Sequence, residues 1–228
     1  MAFFEMHCFS RALNVEVAVN VIIPDKPKSE KKSGPRFESY KTLYLLHGLS
    51  DDHTIWMRRT SIERYAIEHG IAVVMPAGNR SWYSDTAYGA KYFTFVAEEL
   101  PEICRSYFKG MSDKREDNMV AGLSMGGGHS MNISRLYPKT FDYVALFSAA
   151  SRGFENADVQ ATLKTQRDNG FKLYWIACGT DDFLYKLNRD YMAYLDSISF
   201  PYTWRESDGG HTWRNWRIYL SMFAQRLF

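Results

Sequence analysis

Ser124 stands in the stretch "VAGLSMGGGH" (Val120–His129), where an apolar run gives way to a glycine-rich, helix-like segment. A serine hydroxyl is a poor nucleophile until a base takes its proton, and it must be exposed to meet both base and substrate. A sharp strand-to-helix turn lifts such a side chain out of a sheet. The crossing is tight, so glycines on either side, here Gly122 and Gly126, relieve clashes. The helix that follows points its first N–H groups toward developing negative charge. Gly-x-Ser-x-Gly alone is a weak pattern, and its context and partners decide its meaning.

A base is needed next. Where a nucleophile occupies such a corner, the partners follow in the order acid, then histidine, at or beyond the C-terminal ends of strands. His211 in "DGGHTW" (Asp208–Trp213) lies on a glycine-flexed loop before the last helix. His7, His47, His53 and His69 all precede the serine, and His129 lies in the helix that Ser124 opens. For the acid, "GTDDF" offers Asp181 and Asp182 after the run "KLYWIACG". A buried carboxylate there would fix the imidazole tautomer and stabilise the imidazolium that forms. Adjacent residues on a turn point in different directions, so one of the two serves. Asp182 is favoured, with Asp181 stabilising the loop and Asp208 a distant third. Two backbone donors would complete an oxyanion hole: the N–H of Met125, next to the nucleophile, and that of Leu49, presented by a turn at Gly48 in "LLHGLSDDHTIW". His47 and His53 read as structural, since no carboxylate ligand pattern accompanies them.

The elements that would position these residues alternate. Val15, Val17, Val19 and Val21 have the period of a strand, and "EMHCFS" and "RALN" before them suggest an antiparallel N-terminal hairpin. "TLYLLH", "IAVVMP", "NMVAGL", "YVALFSAA" and "KLYWIACG" are apolar runs without alternation, as expected of strands buried on both faces, and "YTWRES" is a last strand. Between them lie helical segments. "TSIERYAIEHG" has Thr60 and Glu63 in capping-box spacing and Gly70 as a stop. "YFTFVAEELPEICRSYF" is helical by period, with Pro101 kinking it or starting a second helix. Met125–Tyr137 is a helix ended by Pro138, and a final helix begins near Thr212. The pattern predicts a single α/β domain over 1–228, with a mostly parallel sheet covered by helices on both faces.

Composition excludes several classes. The net charge of +2 is too small to argue for nucleic acid or an anionic membrane. No apolar run approaches the length of a membrane span, and the N-terminal residues lack the apolar core of a signal peptide. Cys8, Cys104 and Cys178 lack CxxC spacing and read as free thiols in a reducing compartment, which makes a zinc site improbable and a cytoplasmic location the expectation. "DKPKSEKKSGPRFESYK" (Asp25–Lys41), with six basic and three acidic residues, reads as a solvated connection.

With these motifs in hand, "LYLLHGLSDDHTIWMRRTSIERYA", "VVMPAGNRSWYSDTAYG", "EELPEI", "AGLSMGGGHSM", "CGTDDFLY" and "GGHTWRNW" resemble the tributyrin-esterase branch of the esterase D family of α/β-hydrolases. The resemblance covers nearly the whole chain. It implies Ser124 as nucleophile, Asp182 as acid, His211 as base and the amides of Leu49 and Met125 as oxyanion donors. It further implies a cytoplasmic carboxylesterase without cofactor or metal, acting on short-chain acyl esters, with some members acting on acetylated or feruloylated saccharides. Gly128 and His129 depart from the family pattern and bear on packing behind the nucleophile. Family habit and exposed aromatics together suggest a homo-oligomer.

Only Ser151 to Phe171 lie where larger relatives place a cap domain, which argues for a shallow pocket open to soluble esters. Trp56, Trp82, Tyr83 and Trp213 flank the catalytic loops and are candidates to line it. Three other activities fit the same residues: an S-formylglutathione hydrolase-like thioesterase, an acyltransferase, and a non-catalytic binding protein on a hydrolase fold.

Overall fold

The unalternating apolar runs assemble into one sheet. The computed structural model describes residues 1–26, 34 and 38–227. Among those residues the sheet has eight strands: β1 (Ala2–Ser10), β2 (Val15–Ile23), β3 (Thr42–Leu46), β4 (Ala72–Pro76), β5 (Asn118–Leu123), β6 (Tyr143–Phe147), β7 (Leu173–Gly179) and β8 (Thr203–Ser207). Their order is β1-β2-β4-β3-β5-β6-β7-β8. β1 and β2 form the expected antiparallel hairpin, β2 runs antiparallel to β4, and every pairing from β4–β3 to β7–β8 is parallel.

Every residue of β3, β4, β5 and β6 is buried, which is why these strands show no alternation in sequence. Alternate side chains go to two separate cores. Tyr44, Leu46, Val74, Val120, Val144 and Leu146 meet α4 (Leu100–Tyr107), α5 (Met125–Leu136), α6 (Ala157–Asn169) and α7 (Tyr185–Ser197) on one face. Leu43, Leu45, Val73, Met75, Ala121 and Phe147 meet α1 (Ile55–Arg59), α2 (Ile62–His69) and α8 (Trp213–Ala224) on the other; α3 (Tyr92–Thr94) leads into α4. Because the strands from β4 to β8 are parallel, the loops that follow β3, β5, β6, β7 and β8 open at one end of the sheet. Ligands bind at that end in open α/β sheets.

Two local expectations are refined. The capping box is half present: Thr60 Oγ accepts the N–H of Ile62, the first residue of α2, at 3.2 Å while its hydroxyl donates to the Trp56 carbonyl at 2.5 Å. The Thr60 N–H goes to Trp56 O at 3.1 Å in place of Glu63, and Ser61 stands at the N-cap position. The αL stop at Gly70 is present, at φ 64°. Of the two roles expected of Pro101, the structure gives the second: it stands in the first turn of α4, the helix that begins at Leu100. A π-turn at Phe95–Glu99 precedes it, with the Leu100 N–H bonded to the Phe95 carbonyl, and this wider turn absorbs the proline at the start of α4. Most of the basic connection at Asp25–Lys41 lies outside the described residues. Among the described residues, no helix is long and apolar enough to cross a membrane.

Candidate active site

Ser124 sits between β5 and α5 with φ 51° and ψ −113°, a region that side chains rarely occupy. Backbone bonds hold it there: its N–H donates to Phe147 O at 2.9 Å, and its carbonyl accepts from Gly128 N at 3.0 Å and Ala150 N at 2.9 Å. Strain of this kind costs about 1–3 kcal/mol and persists where the surroundings over-determine it. The flanking glycines are required by contact. A Cβ on Gly122 would stand 2.4 Å from the Gly126 carbonyl carbon, and one on Gly126 would stand 2.7 Å from the carbonyl oxygens of Leu46 and His47.

The serine opens onto a pocket of about 680 Å3, whose wall also carries His211, Gly48, Leu49, Trp82, Trp213 and Trp216. His211 reaches the pocket from the loop after β8. Its Nδ1 lies 2.9 and 3.0 Å from the two carboxylate oxygens of Asp182, on the loop after β7. The bond assigns the proton to Nδ1 and leaves Nε2 as the acceptor. The ring is packed edge-on by Trp216, with centroids 4.9 Å apart, and by Phe183 at 4.4 Å.

Asp182 is buried, and its Oδ1 accepts the Leu184 N–H at 2.8 Å. Burial pushes its pKa up. The His211 bond, the Leu184 amide and the Ser148 hydroxyl outweigh that effect and hold the carboxyl below its ordinary value. Asp181 is exposed, and Asp208 is exposed and paired with Arg214 at 3.1 Å. Of the three candidate acids, the structure brings Asp182 to the imidazole.

Leu49 lies on the pocket wall after a turn in which Asp51 N–H donates to Gly48 O at 3.2 Å. Met125 is the first residue of α5, so its N–H has no acceptor within the helix. His47 joins this loop to the one after β4: its Nδ1–H donates to Gly48 O at 2.7 Å, and its Nε2 accepts from Gly78 N at 2.8 Å. Burial lowers its pKa, so it is a neutral brace. His129 is likewise buried, stacked on Tyr83 at 4.9 Å and pushed down to about 3 by desolvation. Beside it, a Cβ on Gly128 would stand 2.5 Å from Ala150 O, so this small residue lets α5 approach the segment after β6. Among the described residues, no group of three His, Cys, Asp or Glu could hold a metal ion.

The four aromatic candidates separate. Trp82, half exposed at φ 54°, and Trp213 are on the pocket wall. Trp56 and Tyr83 are not, and the expectation for them is corrected. Trp56 is fully buried, edge-on to Phe147 and Trp213. Tyr83 is buried with its hydroxyl against the His47 backbone, accepting from His47 N at 3.2 Å.

Sequence reasoning passed over Ser148, just past β6. It is fully buried at φ 44°, its Oγ accepts from Trp216 Nε1 at 3.1 Å, and its hydroxyl supports Asp182. A polar residue at the C-terminal end of a buried strand was the available signal. Ser148→Ala should cost about 2 kcal/mol at pH 7, the scale of a hydrogen bond to a charged group. Because the Asp182 pKa is depressed on folding, its stabilisation is present above the unfolded value of about 3.9 and fades as pH falls through the lower folded value. The Ser148→Ala deficit should therefore shrink at pH 3, which urea unfolding at the two pH values checks.

The sheet order, the helices on both faces and the serine at the β5–α5 turn define an α/β-hydrolase. The "Putative esterase" family model matches residues 10–226, and the chain belongs to that family of carboxylic ester hydrolases. It is 30% identical to the acetyl esterase of Caldicellulosiruptor saccharolyticus, the match covering 97% of this chain and 96% of that one. Among solved structures it is similar to the S-formylglutathione hydrolase of Staphylococcus aureus, with a TM-score of 0.84 and 30% identity over 100% of this chain and 99% of that one. It is also similar to a substrate-bound fluorophosphonate-binding serine hydrolase of Staphylococcus aureus, with a TM-score of 0.87 and 29% identity over 100% and 98%.

Proposed function

We propose that this esterase hydrolyses short-chain acyl esters through an acyl-enzyme on Ser124, as in the tributyrin-esterase branch. The observation that carries the reading is His211, held at Nδ1 by Asp182 at 2.9 Å and sharing one pocket with the strained Ser124. In the first half-reaction His211 Nε2 takes the Ser124 proton as Oγ attacks the ester carbonyl. The N–H groups of Leu49 and Met125 stabilise the oxyanion, and the alcohol leaves with the proton. Water then repeats the steps on the acyl-enzyme and releases the acid.

The short acyl preference is supported by the cap. Residues 151–171 contribute one helix, α6, whose buried side chains Leu163 and Gln166 face the body. Acyl groups would rest against Trp82, Trp213 and Trp216. Hydrolysis of p-nitrophenyl esters from acetate to palmitate should peak at two to four carbons and fall by at least tenfold by C8. Activity that rises toward palmitate would contradict this reading.

A second reading has its own support. Arg59 and Arg152 lie on the pocket wall, and neither has an ion-pair partner among the described residues. Their guanidiniums suit a leaving group that carries carboxylates, and one solved relative is an S-formylglutathione hydrolase. A kcat/KM for S-formylglutathione exceeding that for the simple esters, and falling in Arg59→Ala and Arg152→Ala, would select the thioesterase. Acetylated sugars and feruloyl esters complete the substrate panel.

A further inference from the structure

β1 is the outer strand of the sheet, and its sequence is AFFEMHCFS. It pairs with β2 residue for residue from Ala2↔Ile23 to Ser10↔Val15, without a bulge. Edge strands are ordinarily blunted by shortness, lysine, proline or a bulge, because a free ladder edge templates another strand. β1 has none of these devices. The opposite edge, β8, is five residues long and carries Arg205 and Glu206.

β1 also exposes apolar surface. Phe3, Phe4 and Phe9 are 42%, 43% and 54% exposed, and Tyr107 on the neighbouring α4 is 71% exposed. Together they border a groove of about 1170 Å3 between β1 and α4. Scattered exposed aromatics need no explanation, but a cluster along an open strand edge marks an interaction surface.

We propose that this edge is the dimer contact of the protein, with β1 pairing antiparallel to β1 of a second copy and Met6 opposite Met6. The occupant follows from self-complementarity. In an antiparallel pair the residues bonded across the edge come from the same alternate set on both strands, so two identical strands related by a twofold must be centred on a residue. For a strand running from Ala2 to Ser10, only the register centred on Met6 pairs all nine residues. That register sets Glu5 of each copy against His7 of the other, Phe3 against Phe9, and Phe4 against Cys8. Aromatic cross-strand pairs are favourable, and an imidazole N–H of His7 can donate to the carboxylate of the Glu5 that faces it. Centring on Glu5 instead sets two carboxylates face to face, and centring on His7 sets Glu5 against Phe9. The pocket with Ser124 and His211 opens at the strands' C-terminal end and takes no residue from β1.

The test combines sedimentation with a cysteine scan. Wild-type protein should sediment at twice the 26.5 kDa chain mass, and Phe3→Lys/Phe9→Lys should return it to one chain mass with esterase activity retained. In a Cys8→Ser background, Glu5→Cys, Met6→Cys and His7→Cys are oxidised mildly. Met6→Cys should give the covalent dimer, because directly opposed Cα atoms lie about 4.5–5.5 Å apart, within disulfide reach. The other two should not, since their symmetry mates are displaced along the strand. Glu5→Lys should weaken the dimer, and adding His7→Glu should restore it. A monomeric wild type overturns the proposal, as does a dimer that survives Phe3→Lys/Phe9→Lys or that cross-links at Glu5→Cys or His7→Cys in place of Met6→Cys.

Discussion

Ser124→Ala should lower kcat for p-nitrophenyl acetate by a factor on the order of 10⁶ while the protein remains folded. The loss is large because the reaction proposed here passes through a covalent bond to Oγ, and alanine leaves water as the only nucleophile. Residual catalysis from the oxyanion donors and substrate binding should remain, about 10³–10⁴ over the uncatalysed reaction. Folding should survive because the turn is held by backbone bonds to Phe147, Gly128 and Ala150, none of which uses the hydroxyl. Ser124→Gly gives an internal check on the strain. It lacks both the hydroxyl and the Cβ that makes φ 51° costly, so it should be as inactive as alanine yet more stable than it by about 1–2 kcal/mol. Steady-state rates and urea unfolding of the two variants separate the chemical from the conformational role of this residue.

Asp182→Asn should lower kcat by roughly 10⁴, with little change in KM. The two oxygens of Asp182 lie within hydrogen-bond distance of His211 Nδ1 and hold the proton there. An amide can turn its NH₂ toward that nitrogen and stabilise the wrong tautomer, placing a proton on Nε2 where a base is needed. It also cannot stabilise the imidazolium by charge. Asp181→Asn should stay within a few-fold of wild type, since that side chain is exposed and its backbone N–H, bonded to Gly209 O at 3.1 Å, is unchanged. A reversed ranking of the two variants would move the acid assignment to Asp181.

The β5–Ser124–α5 junction was legible from sequence because three signals coincide there: an unalternating apolar run, glycines where side chains would collide, and a helical pattern directly after. His211 was legible by chain order and by the glycines before it. Asp181 and Asp182 could not be separated by pattern alone, since neighbours on a turn differ only in which way the backbone aims them. The same limit explains the aromatics. Trp82 and Tyr83 are adjacent, both at positive φ, yet one faces the pocket and the other is drawn inward by the His47 backbone. Thr60 had capping spacing, and its Oγ accepts the Ile62 N–H while its own hydrogen goes to Trp56 O. Spacing does not reveal that the Thr60 N–H is also taken by Trp56 O, which leaves Glu63 without its half of the box. Ser148 was missed for a different reason. Its role depends on Trp216 and Asp182, which are brought to it only by the tertiary fold.

The covalent step at Ser124 is tested most directly by acid quench of the enzyme during turnover of p-nitrophenyl acetate, followed by peptide mass spectrometry. One acetyl adduct should appear, on the peptide containing Ser124, accumulating in Asp182→Asn or wild type under excess ester and absent from Ser124→Ala. Turnover at the wild-type rate with Ser124 unmodified, or with the acetyl group on another side chain, would contradict it.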